Sequence, residues 1–288
     1  MFLTCDSIWE FNLNDVGKSL EARMKEQIAS SGTLERLTPF GVIVNSLQAD
    51  DDLRTVHIPA VKELIDEHRV VVLRGYAPLV GTALPEFCER FGKLLDWDFG
   101  TVNDLRVRAN AQNYLYTDRA VPFHWDGAFV GRVPHYIFFH CEAAPPPGSG
   151  GETLFCDTVQ LLNLAPAGLR EVWEKTIITY TTEKIVHYGG TFTSPVVCQH
   201  QVSCEKVLRY AEPVSDLNPV LLEIVGISQE AKKDLIDDLH QKLNDERVCY
   251  QHQWLKNDFV IADNYVLLHG RHAFDGNAER HIRRVNIL

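Results

Sequence analysis

The sequence predicts a mostly β protein with flanking helices, a β-barrel or double-sheet jelly roll wrapped by helices. From about residue 120 onward, short apolar segments recur between turn residues, which is how many short strands read. Only a few stretches space their apolar residues as a helix does. No linker rich in Pro, Gly or Ser and no internal repeat divides the 288 residues, so one large domain accounts for most of the chain.

Residues 1–35 are polar, partly helical in pattern, and read as an N-terminal extension. Phe40 to Val44 looks like a first strand, Ile58 to His68 a helix, Val70 to Gly75 a short buried strand, and Leu84 to Leu94 a second helix. Strands are expected over Tyr136–Cys141 and Gly151–Phe155, separated by the loop Pro145 to Gly151. Leu161 to Trp173 has helical spacing, with Pro166 near a helix start. Thr176–Thr182 and Val207–Ala211 are further strand candidates. Residues 228–244 form an amphipathic helix with Ala231, Leu235, Ile236, Leu239 and Leu243 on one face. Strands around Phe259–Ala262, Tyr265–His269 and Ile282–Leu288 close the chain.

Composition excludes several classes. With 28 basic and 39 acidic residues the net charge is −11, and no Lys/Arg run provides the footprint of a nucleic-acid binder or a pull toward anionic lipid. No apolar stretch approaches the roughly 20 residues needed to span a bilayer, and Met1 to Asn12 lacks the basic start of a signal peptide. The seven cysteines are scattered without a C-x-x-C pair, as expected of reduced thiols in a cytoplasmic protein.

The strongest local signal is Phe123-His124-Trp125-Asp126-Gly127. On a strand, residues i and i+2 share a face, so His124 and Asp126 would project together. An imidazole and a carboxylate side by side make two corners of a metal site. A second, distant His completes the 2-His-1-carboxylate set that leaves positions open on iron(II). With 12 histidines in the chain, H-x-D alone reads more readily as a His beside an Asp on a surface or in a core. The C-terminal segment shifts that balance. His269 ends an apolar stretch, and Arg280 and Arg284 follow eleven and fifteen residues later. Interleaved with Ile282, Val285 and Ile287, these arginines sit on a half-buried strand rather than a solvated basic patch. A guanidinium there suits a carboxylate, which it meets bidentately.

Taken together, H-W-D-G, G-G-E-T-L-F, D-N-x-x-L-L-H-G and R-H-I-R-R resemble the TauD/TfdA-type iron(II)/2-oxoglutarate dioxygenases. The resemblance implies a cupin-like double-stranded β-helix (jelly-roll) core over 36–288, iron(II) as cofactor, and 2-oxoglutarate and O₂ as cosubstrates. It implies metal ligation by His124, Asp126 and His269, and its register selects His269 over His272. Thr153 and Arg280 would hold 2-oxoglutarate, and Arg284 would touch cosubstrate or substrate. Asp126 stands where related halogenases carry a small residue, which disfavours halogenation. Longer strings, among them Asn113-Tyr114, Pro122 to Gly127, Pro134 to Cys141, Leu208 to Pro213 and Val260 to Asn264, resemble the isonitrile-biosynthesis oxygenases of the PvcB/IsnB group.

That finer resemblance implies oxidative desaturation of an aromatic 2-isocyano acid, made from Trp or Tyr by a partner isonitrile synthase, to a vinyl isonitrile. An aromatic pocket would then be lined by Asn113, Tyr114, Tyr116, Phe123 and Phe138, with Arg209 competing with Arg284 for the substrate carboxylate. Each aromatic reads more readily as plain core, and Arg209 reads equally as a structural cation. Two alternatives stay open: a related hydroxylase of another small sulfonate, carboxylate or amino acid, and a zinc protein using the same three ligands.

Overall fold

The computed structural model describes residues 32–184, 188–226 and 228–288. The extension expected over 1–35 therefore falls almost wholly outside the described residues. Its last residues enter strand β1 (Thr33–Arg36), which pairs antiparallel with β2 (Val42–Asn45).

Helix α1 (Ile58–His68), β3 (Val70–Arg74), helix α2 (Ala83–Glu89), β4 (Val102–Leu105), β5 (Val121–His124), β6 (Tyr136–Ala143) and β7 (Thr153–Asp157) follow in order. Next come helices α3 (Thr158–Leu164) and α4 (Ala167–Lys175), then β8 (Ile177–Thr182), β9 (Gly190–Pro195), β10 (Val197–Gln199), β11 (Lys206–Leu208) and β12 (Leu221–Ile224). Helix α5 (Gln229–Leu243) precedes β13 (Cys249–His252), β14 (Phe259–Asp263), β15 (Leu267–Arg271) and β16 (His281–Ile287). The protein is mostly β with flanking helices, as its sequence pattern requires. Among the described residues no helix is long and apolar enough to cross a membrane.

Two sheets position the site. The larger runs β1-β2-β3-β14-β6-β16-β4 and the smaller β13-β7-β15-β5. They share one apolar core, in which Ile137, Phe139, Val260 and Ile282 of the larger sheet meet Val121, Phe155, Tyr250 and Leu267 of the smaller. Side-chain alternation sends the other face of each strand outward. Tyr136, Phe138, Val285 and Ile287 thus pack beneath α1 and α2 with Leu64, Ile65, Leu84 and Phe87. Leu154, Cys156 and Leu268 pack beneath α3 and α5 with Leu161, Leu239 and Leu243.

Three helical expectations change. The segment 161–173 is two helices, because Asp157 caps α3 by accepting from Val159 N and Gln160 N, and Ala165 is extended ahead of Pro166. The helix expected over 84–94 ends at Glu89. On α5, Leu235, Leu239 and Leu243 are buried, whereas Ala231 is exposed and Ile236 half-buried.

Candidate active site

His124 and His269 are register partners on the neighbouring strands β5 and β15. A register shift in that pairing sets His269 against His124 but Arg271 against Val121, and the extra residue in β5 keeps His124 on the inner face with Val121. Asp126 does not lie on the strand, as i, i+2 alternation assumed. β5 ends at His124, and the chain turns at Gly127, whose φ of +96° is left-handed. A Cβ on Gly127 would also lie 2.3 Å from Arg132 O, so only glycine fits. Asn264 ties this turn down: its Oδ1 accepts from Asp126 N at 3.0 Å, and its Nδ2 donates to Asp126 O and Pro134 O.

Asp126 Oδ1 lies 3.7 Å from His124 Nε2 and 3.9 Å from His269 Nε2, and the imidazole centroids are 4.2 Å apart. His124 Nδ1 faces Pro122 O at 2.9 Å, so that nitrogen carries the hydrogen and leaves the Nε2 lone pair facing the centre. His269 Nε2 is buried with no hydrogen-bond partner among the described residues. Burial lowers the pKa of both imidazoles, His269 well below the usual range, and keeps them neutral. Burial pushes the Asp126 carboxyl up, but Arg284, then His269, His124 and the Asn286 amide, outweigh it and hold it at about 2. Arg284 Nη1 reaches Asp126 at 3.0–3.1 Å and Asn286 Nδ2 donates to Oδ2 at 2.8 Å. Two neutral imidazoles and an ionised, anchored carboxylate are the donor set suited to a divalent iron.

Two pockets meet here, both lined by Leu115, His124 and Arg284. One, of about 380 Å³, is lined also by Thr153, His269, Arg271 and Arg280. Arg280 is buried and forms no ion pair among the described residues. Its Nε donates to Gly151 O at 3.0 Å and its Nη2 to Thr153 Oγ1 at 3.4 Å. Burial, with Arg271 second, lowers its pKa to about 9. An unpaired buried guanidinium is costly unless an anion joins it. Thr153 Oγ1 accepts also from Trp254 Nε1 at 3.0 Å, leaving its own hydrogen for a ligand. Arg271, Trp254 and Asn286 were not singled out in the sequence, where no motif marks them.

The other pocket, of about 640 Å³, is mainly apolar and aromatic, with Trp97, Tyr114, Phe123, Trp125, Phe129 and Tyr188 in its wall. Tyr114 and Phe123 stand in this wall. Asn113 lies behind the wall, donating from Nδ2 to Tyr188 Oη at 2.9 Å and accepting at Oδ1 from Leu115 N at 2.8 Å. Tyr116 is bound to Asn103 and covered by Arg108, away from both pockets. Phe138 is not a pocket residue. It is fully buried on the helix side of the large sheet against Phe87 and Phe259, because strand alternation points it away from the site. Arg209 lines neither pocket: its Nη1 donates to Asn264 O at 2.7 Å, over the rings of Trp125 and Tyr265, and so braces the turn that carries Asp126. Tyr188 and Trp97 were invisible beforehand, since no motif surrounds them, and Phe129 falls two residues past H-W-D-G.

His135, His200 and Asp263 form a second group of metal-capable side chains. There the tautomer is wrong for a ligand. His200 Nδ1 accepts from Val202 N and Ser203 N, so Nε2 carries the hydrogen and faces Asp263 Oδ2 at 3.3 Å. His200 and Asp263 form a hydrogen-bonded brace, and His135 stacks against Tyr136 and Tyr265.

Comparison with known proteins points to one family. The profile of the taurine catabolism dioxygenase TauD, TfdA family matches residues 33–286. The 3-((Z)-2-isocyanoethenyl)-1H-indole synthase of Fischerella ambigua is 44% identical over 260 residues, 89% of this chain and 95% of that protein. A tyrosine isonitrile desaturase of Pseudomonas aeruginosa is 35% identical over 233 residues, 79% of this chain and 80% of that one. The solved structure of PvcB, described as an Fe, alpha-ketoglutarate dependent oxygenase from an isonitrile synthetic pathway, superposes with a TM-score of 0.73 at 30% identity. That match covers 88% of this chain and 90% of the other.

Proposed function

Because the chain belongs to the TauD/TfdA family of dioxygenases, we propose that it oxidises an aromatic 2-isocyano acid to a vinyl isonitrile, with loss of the carboxylate. The protein is an iron(II)/2-oxoglutarate-dependent oxygenase of isonitrile biosynthesis. The indole acid derived from Trp is the preferred substrate in this reading, and an isonitrile synthase would supply it. The observation that carries it is the meeting of two unlike pockets at His124, one holding an unpaired guanidinium and the other walled by aromatic rings. The two sheets over a shared core read as the double-stranded β-helix of this family.

His124, Asp126 and His269 would hold the iron. Bound there, it supplies the oxidation, in which O₂ and 2-oxoglutarate are consumed and succinate and CO₂ released. Arg280 and the Thr153 hydroxyl would receive the far carboxylate of 2-oxoglutarate, giving the buried cation its missing partner. Arg284 lines both pockets and keeps its buried Nε unpartnered, so it can address cosubstrate or substrate while Nη1 holds Asp126. The aromatic wall would orient the ring and keep water from the benzylic carbon, a positional rather than acid–base contribution.

The test is anaerobic reconstitution with iron(II) and 2-oxoglutarate, followed by O₂ and separate 2-isocyano acids derived from Trp and Tyr. The vinyl indole isonitrile is expected, with one succinate per product. Oxidation of a sulfonate or a free amino acid, with both isocyano acids untouched, would overturn the assignment.

A further inference from the structure

A 2-isocyano acid brings an anion into the aromatic pocket, and its fate decides the product. Arg284 is the one cation in the described wall; its Nη1 is committed to Asp126, its Nε is unpartnered, and it lines the cosubstrate pocket as well. The wall also holds the carboxylate of Glu212, whose oxygens accept from Phe123 N and face His240 Nδ1. The remaining polar groups of note are two phenols. Asn113 Nδ2 donates to Tyr188 Oη at 2.9 Å, and Tyr188 Oη donates to Tyr114 Oη at 3.2 Å. The direction of this relay is fixed at its start, because Asn113 Oδ1 is occupied by Leu115 N. Tyr114 accepts, so its own hydrogen has no protein acceptor among the described residues, although the side chain is buried and in the pocket wall. Burial above all raises both phenols, Tyr114 well above the usual range, so they stay neutral donors.

We infer that the Tyr114–Tyr188 hydroxyl pair receives the carboxylate of the isocyano acid, with Tyr114 as the direct donor, and so sets that carboxylate to leave as CO₂. This rests on the functional reading above and adds to it the group that holds the acid. In the reaction RCH₂CH(NC)COO⁻ becomes RCH=CHNC and CO₂. One hydrogen atom leaves the benzylic carbon, and a second electron leaves as the bond to the carboxylate breaks. The oxidant is the oxygen atom supplied by O₂ with 2-oxoglutarate, which departs as hydroxide carrying that hydrogen. Loss of CO₂ discharges the anion, so contacts that stabilise the carboxylate only in the ground state slow the step. A guanidinium adds a full positive charge and a second parallel bond to that ground-state hold, which a phenol does not. A phenol donor positions the acid without locking its charge.

The experiment compares the indole isocyano acid with 3-(2-isocyanoethyl)indole, which lacks only the carboxylate. In Tyr114→Phe, kcat/KM for the acid should fall about tenfold to a hundredfold while that for the carboxylate-free compound changes little. Of the product formed, a larger share should keep its carboxylate. Tyr188→Phe, which removes the orienting hydrogen bond but not the donor, should show a smaller loss of the same kind. If Tyr114→Phe loses activity equally on both compounds, or retains the unaltered enzyme's preference for the acid, the assignment of the hydroxyl pair is overturned. If the unaltered enzyme oxidises neither, the functional reading itself falls.

Discussion

Asn286 donates its side-chain amide to Oδ2 of Asp126 at 2.8 Å, joining the last strand of the chain to the turn after β5. Arg284, two residues earlier on the same face of β16, reaches the same carboxylate. The Asn286 Oδ1 accepts in turn from Trp97 Nε1 at 3.2 Å, so its orientation is fixed. A carboxylate held on both oxygens presents one geometry to an ion.

Asn286→Ala should therefore weaken iron(II) or manganese(II) binding about tenfold to a hundredfold, the usual size for a residue that orients a ligand. Anaerobic calorimetric titration of the metal measures this. Affinity unchanged within a factor of two would show that Arg284 alone orients Asp126.

Arg280→Met should raise the 2-oxoglutarate KM about a hundredfold, as expected when a charged hydrogen-bond donor is lost. Metal affinity should stay nearly intact. Without 2-oxoglutarate the variant should melt no lower than the parent, because it loses a buried charge that has no ion-pair partner among the described residues. Thermal melts with and without 2-oxoglutarate check both statements. A large cosubstrate-induced shift persisting in the variant would contradict the assignment.

Phe138→Ala should destabilise the fold by about 3–5 kcal/mol, the range for emptying a buried phenyl site. The KM of the folded enzyme for its isonitrile should not move, since the ring packs between Phe87 and Phe259 rather than in the pocket. Denaturant melts and steady-state kinetics separate the two effects.

His140 stacks on Phe259 with centroids 4.4 Å apart, and neither ring nitrogen has a hydrogen-bond partner among the described residues. Burial lowers its pKa from 6.5 to about 4. The folded ring thus refuses a proton that the unfolded chain accepts. Stability is full above about pH 6.5 and is lost as pH falls toward 4, by at most about 3 kcal/mol from this residue. His140→Phe should flatten that part of the stability–pH curve, as followed by urea melts from pH 8 to 4.

The ligand pattern was legible because it is local. H-x-D and the His269–Arg280–Arg284 spacing lie in two short segments, and α1 spans the residues its apolar spacing marks. What was not legible depends on pairing across the chain. β4 and β13 have ordinary, partly polar sequences and become strands because β16 and β7 bind their backbones. Phe138 and Arg209 looked like pocket residues because sequence does not tell which face of a sheet meets which partner. Tyr188 enters the wall from a segment without a motif, 74 residues from Tyr114. The strand reading of Asp126 reached the right neighbour by the wrong route, since a glycine turn rather than alternation sets it beside His124.

The central claim is that His124, Asp126 and His269 share one ion beside Arg280. A crystal grown anaerobically with manganese(II) and 2-oxoglutarate tests it most directly. The account predicts one ion bonded to those three side chains, with the far carboxylate of 2-oxoglutarate on Arg280 and Thr153. An ion held instead by His135, His200 and Asp263, or a 2-oxoglutarate that leaves Arg280 unpaired, would contradict it.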